Sequence, residues 1–164
     1  MKPITALGGG IAGAAALTLI HESIKKIVPE APRMDLLGMN AISKVLNAAG
    51  IKTPSQTNLS TIAMAGDLIA NSLYYSLAGV GKEKSIWLRS AALGLAAGIG
   101  AVTLPGPLGL EERYSNRTTA TKIMTVGLYV AGAVVATAVI KLLARKKQQY
   151  NQEWERKLVT SAMG

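Results

Sequence analysis

Apolar residues in this chain fall into four blocks rather than at scattered helix or strand periods. The second block, residues 59 to 81, is LSTIAMAGDLIANSLYYSLAGVG. At 1.5 Å per residue it would span roughly 34 Å of helix, enough to cross a hydrocarbon core of about 30 Å. At 100° per residue Ser60, Ala63, Asp67, Asn71, Tyr74, Ala78 and Gly81 share one stripe, while Ile62, Ile69, Leu73 and Val80 face the other way. A small and polar stripe opposite an aliphatic one predicts a span with one face on protein or water and the other on lipid.

The remaining blocks complete an all-α reading. Residues 4 to 20 form a short first span, rich in Gly and Ala, with Gly9 and Gly13 in a GxxxG arrangement suited to close helix packing. No small-x-small cleavage site follows it, so it is expected to be retained rather than removed as a signal peptide. Residues 86 to 104 form a third span, where Ser90, Gly94 and Gly98 recur every four residues on one face. Residues 123 to 140 are the fourth and most aliphatic. Between the first and second, residues 35 to 49 predict an amphipathic extramembrane helix, with Asp35 able to cap it and Gly50 able to stop it. It would lie on the headgroups or lid the bundle, or else pack as a linker. The polar tail, 141 to 164, continues the last helix into solvent. The expected architecture is therefore one membrane domain over 1 to 164, a bundle of four transmembrane helices with a surface helix between the first and second.

Composition supports that picture: 49% of the 164 residues are hydrophobic and 16% charged, against about 25% in soluble domains. Cysteine is absent, which excludes disulfides, thiolate metal sites and a cysteine nucleophile. A net charge of +9 would suit nucleic acid, but the cations flank the apolar blocks, where they meet headgroups, so no nucleic-acid partner is expected. The two termini and the 82 to 89 connection carry ten Lys and Arg, the other two connections eight. That favours both termini in the cytoplasm, in a bacterial cell inner membrane.

Candidate chemistry centres on Asp67, about 5 Å from the middle of its span. A carboxylate at that depth costs on the order of 2.5 to 3.5 kcal/mol on insertion scales and needs an offset. Asn71 and Tyr129 could donate hydrogen bonds, and Tyr74 shares the stripe. Arg89 lies roughly 14 Å away in depth, so it is expected to snorkel to the interface rather than pair with Asp67. His21 and Glu22, at the end of the first span, read as an interfacial pair about 9 Å further out than Asp67. No metal site is expected, since one needs three or more converging ligands, and no cofactor or catalytic motif is present.

Two functions remain. The first is a non-enzymatic bundle, in the bilayer with copies of itself or a membrane partner protein, that scaffolds or lines a small conduit with the Asp67 stripe. The alternative is a membrane-embedded enzyme acting on a lipid, which would require His21 or Glu22 to share a pocket with Asp67.

Overall fold

Glycine decides how the first helix packs. In a computed structural model, which describes residues 3 to 162, α1 (Pro3–Ile24) lies between α3 (Gln56–Ser76) and α6 (Thr119–Ala162). Both neighbours approach its backbone. A Cβ on Gly13 would stand 2.6 Å from the Gly132 carbonyl oxygen, one on Gly9 would overlap Ile140, and one on Gly10 would overlap the Ser72 carbonyl. Any side chain would force the helices apart, so the glycines of α1 are what let it occupy the middle.

The other flank of α6 carries α4 (Ile86–Thr103). Ser90, Gly94 and Gly98 are buried in this contact, and the Ser90 hydroxyl donates to the Ala133 carbonyl oxygen at 2.7 Å. Ala133 is also the carbonyl one turn before Thr137, whose buried hydroxyl has no hydrogen-bond partner. The helices thus pack in the order α3, α1, α6, α4, and the Tyr74 hydroxyl joins α3 to α4 by donating to the Leu93 carbonyl oxygen at 3.0 Å. Ile62, Ile69, Leu73 and Val80 are exposed on the outer face of this edge.

At one end of the bundle Ala78, Ile86 and Ile140 cluster. At the other, α2 (Met34–Ala48) and α5 (Arg113–Asn116) belong to a cap tied by long-range hydrogen bonds. Lys44 Nζ donates to the Leu108 carbonyl oxygen at 2.6 Å, Arg117 to that of Pro29 at 2.6 Å, and the Arg33 amide to that of Tyr114 at 2.7 Å.

All the described secondary structure is helical, and three helices are long and apolar enough to cross a membrane: α1, the segment Glu83–Thr103, and α6 over Thr119–Leu158. The central stretch is not among them. Its 21 residues are enough in length, but Asp67, Asn71 and the hydroxyl residues hold down its apolarity. Its α-helix also starts earlier and ends sooner than the 59 to 81 block. After Ser76 come a 3-10 turn at Leu77–Gly79, extended Val80, and Gly81 with φ +91°. A Cβ on Gly79 would meet that of Ala6 at 2.5 Å, and the chain must reverse here to enter α4. The first and last apolar blocks lengthen, to Pro3–Ile24 and Thr119–Ala162, the last because no Pro or Gly interrupts it after Gly132, whereas the third ends one residue sooner, at Thr103.

Candidate functional site

Four helices enclose a cavity of about 310 Å³ beneath the cap. α1 contributes Leu17, Thr18, His21 and Glu22, with Lys25 just past its end, α2 contributes Met34, Asp35 and Gly38, and α3 contributes Ser60, Ala63, Met64 and Asp67. Thr125, Leu128 and Tyr129 of α6 close the remaining side. The i, i+3, i+4 and i+7 spacing of the α3 residues places them on one face, as helical geometry requires.

The charges at the cap end satisfy one another. Lys25 Nζ donates to Glu22 Oε1 at 2.6 Å and to Asp35 Oδ2 at 3.3 Å, and Arg33 grips both Asp35 oxygens, from Nε at 3.0 Å and Nη2 at 2.9 Å. Burial pushes the Asp35 carboxyl up, but the Arg33 hydrogen bond and the Lys25 charge outweigh it and hold the group at about 2, below its ordinary 3.8. Folded Asp35 therefore binds its proton more weakly than the unfolded chain does. The link stabilises fully above about pH 4 and is lost as pH falls through about 2. In detergent the parent should lose melting temperature between pH 4 and 2 more steeply than Asp35→Asn; equal slopes would remove this link from the stability of the cap.

His21, expected as half of an interfacial pair with Glu22, is buried near the end of α1. Its Nε2 lies 2.9 Å from the Pro32 carbonyl oxygen, which places the proton on that nitrogen, while the Met34 amide at 3.4 Å is too long to compete. Nδ1 is 3.6 Å from Glu22 Oε1. The ring thus pins the 25 to 33 connection across the cavity roof. Asp35 is not the N-cap, which is Arg33, but lies in the first turn of α2 with its carboxylate held by Arg33 and Lys25.

Asp67 is different. Among the described residues no Lys, Arg or His lies within ion-pair distance of it, and Asn71, one turn on, is the side chain that bonds to it. It is exposed on the cavity side of an edge helix. Toward the far end of the bundle the cavity meets a packed layer of Leu17, Leu128 and Tyr75, with Tyr129 against it. Tyr75 is 1% exposed, and its hydroxyl donates to the Tyr129 carbonyl oxygen at 2.9 Å. A side chain on Gly132 would strike that hydroxyl at 2.7 Å, so the glycine makes room for the ring.

Other residues singled out in the sequence lie elsewhere. Arg89 donates from Nε and Nη2 to the Ala78 carbonyl oxygen, at 2.9 and 2.7 Å, and more weakly to that of Lys82 at 3.4 Å. Its main contact is the Ala78 carbonyl in the turn that follows α3, a favourable place for a cation. Gly9, Gly13, Ser90, Gly94 and Gly98 are helix contacts within one chain and lie outside the cavity. Sequence reasoning overlooked Lys25, Asp35 and Tyr75 as parts of this region. The first two read as flanking charge and cap, and Tyr75 stood next to the stripe rather than on it. No group of three His, Cys, Asp or Glu residues converges to hold a metal among the described residues.

No protein-family model, curated protein or solved structure matches the chain. Its own geometry is therefore the basis for a functional reading.

Proposed function

We propose that this is a non-enzymatic integral membrane protein, a bundle of four spanning helices with α3 as the fourth, whose Asp67 cavity is a water-accessible binding chamber. The observation that carries the reading is a carboxylate without a cation partner, facing a cavity between four helices. Bare exposure of that group to lipid would be costly, whereas water or a ligand in the chamber offsets the cost. The Tyr75 layer argues for a chamber closed at one end rather than an open conduit. In this reading α2 lids the chamber as an amphipathic surface helix. The proposed setting is a bacterial inner membrane with both termini cytoplasmic, where Arg145, Lys146 and Lys147 favour that side. Association with a second copy or a membrane partner protein would use faces other than Gly9, Gly13, Gly94 and Gly98, which are occupied within the chain.

Single cysteines in the cysteine-free chain test this directly. With an impermeant thiol reagent, Ser55→Cys and Glu111→Cys should label from outside the cell and Glu83→Cys and Gln152→Cys only from within. Asp67→Cys should label from the outside, and Ile69→Cys, on the opposite face of α3, should not. Rapid labelling at both 67 and 69 would put α3 in water and leave three spans.

The alternative, a membrane-embedded enzyme acting on a lipid, is favoured by one observation: His21, Glu22 and Asp67 line the same cavity, although their depths along the chain had set them apart. Turnover of a membrane lipid by the purified chain, abolished in His21→Gln, would establish that reading instead.

A further inference from the structure

We infer that the chamber takes a small organic cation, an ammonium group carried on an apolar body, with the ammonium on Asp67; this rests on the chamber reading above. At the cap end, Glu22 and Asp35 are neutralised by Lys25 and Arg33. Asp67 is the one acidic side chain described in the cavity that makes no ion pair, with His21 its electrostatic neighbour, so the ligand that complements its carboxylate carries one positive charge.

The walls near that carboxylate select what carries the charge. Leu17, Ala63, Met64 and Leu128 are apolar, and Tyr129 adds an aromatic ring. A bare alkali or divalent ion needs about six oxygen ligands, and the acidic residues of the cavity do not converge to supply a metal site. An alkyl or aryl ammonium uses both surfaces, its charge on the carboxylate and its body on the apolar wall. The volume of about 310 Å³ is equivalent to roughly ten waters. That is at the small end of ligand pockets and fits a single ring or short chain rather than a two-tailed lipid.

The test is calorimetric titration of the full chain in nanodiscs with phenethylamine and with phenethyl alcohol, its uncharged counterpart. The amine should bind saturably and about tenfold or more tighter than the alcohol, the difference expected for one charge-assisted contact. Asp67→Asn should abolish that preference and Asp67→Glu should keep it, with unchanged melting temperatures showing that both variants are folded. If Asp67→Asn does not fold, the amine-to-alcohol ratio on the parent still decides. Equal affinities on the parent, or an amine preference that survives in folded Asp67→Asn, would overturn the assignment. Displacement of bound amine by sodium at equal concentration would assign the carboxylate to an inorganic cation and also overturn it. Labelling at Asp67→Cys together with no amine binding to the parent would sink the ligand alone, whereas no labelling there would remove the chamber as well.

Discussion

Gly98→Leu should cost this protein on the order of 3 kcal/mol or more and lower its melting temperature in detergent sharply. A Cβ at position 98 would stand 2.7 Å from Val126 Cα and 3.1 Å from the Val126 carbonyl oxygen, so the obstacle is backbone and cannot rotate away. α4 would have to withdraw from α6 along the line of Ser90 and Gly94, breaking the 2.7 Å bond from Ser90 to Ala133. Between helices in lipid no hydrophobic gain compensates the lost packing, because the displaced surface exchanges one apolar neighbour for another. Gly127→Leu is the control. It lies in the same region of α6, but a Cβ there meets nothing within 4 Å, and replacing glycine in a helix is mildly favourable. A comparable loss in both variants would show that helix propensity or insertion, not the α4–α6 contact, sets the stability.

Tyr75→Ala should open the inner end of the chamber. The ring fills the layer between Leu17 and Leu128, and its removal is a large-to-small core substitution of the kind that costs about 3 to 5 kcal/mol. Tyr75→Phe keeps the ring and loses only the 2.9 Å hydrogen bond to Tyr129, an effect of about 1 kcal/mol. The two variants separate packing from hydrogen bonding in stability, and they also separate barrier from scaffold in transport. Vesicles containing folded Tyr75→Ala should leak a small cation that the parent and Tyr75→Phe retain. Tight Tyr75→Ala vesicles would mean that the barrier lies in Tyr74, Leu93 or the Ala78, Ile86 and Ile140 cluster at the far end.

These outcomes bear on Asp67 in different ways. Leakage through Tyr75→Ala would show that the chamber reaches almost across the bundle, with the carboxylate on the path. Without leakage, the chamber is a pocket closed by more than the Tyr75 layer. In either case the cap matters, because His21, Lys25 and Asp35 hold the roof in place through Pro32, Glu22 and Arg33. The pH response of Asp35 reports on that roof independently of anything in the membrane.

What this sequence determines by itself is the local alphabet of the protein. Apolar block length, the Gly and Ser spacing on α1 and α4, and the split of α3 into a polar and an aliphatic face follow from composition and from the 3.6-residue period, which any isolated helix obeys. Helix ends were less legible: α3 stops at Ser76 because the reversal into α4 and the approach of Gly79 to Ala6 demand it, and neither is a local property. Tertiary structure alone decided which groups meet. Counting depth along separate helices set His21 and Glu22 apart from Asp67, yet the chamber brings them onto one surface because its walls extend along the helix axes. The same holds for charge. Lys25, Arg33, Glu22 and Asp35 are ordinary flanking residues in one dimension, and only the fold, by pairing them with one another, leaves Asp67 without a cation partner among the described residues.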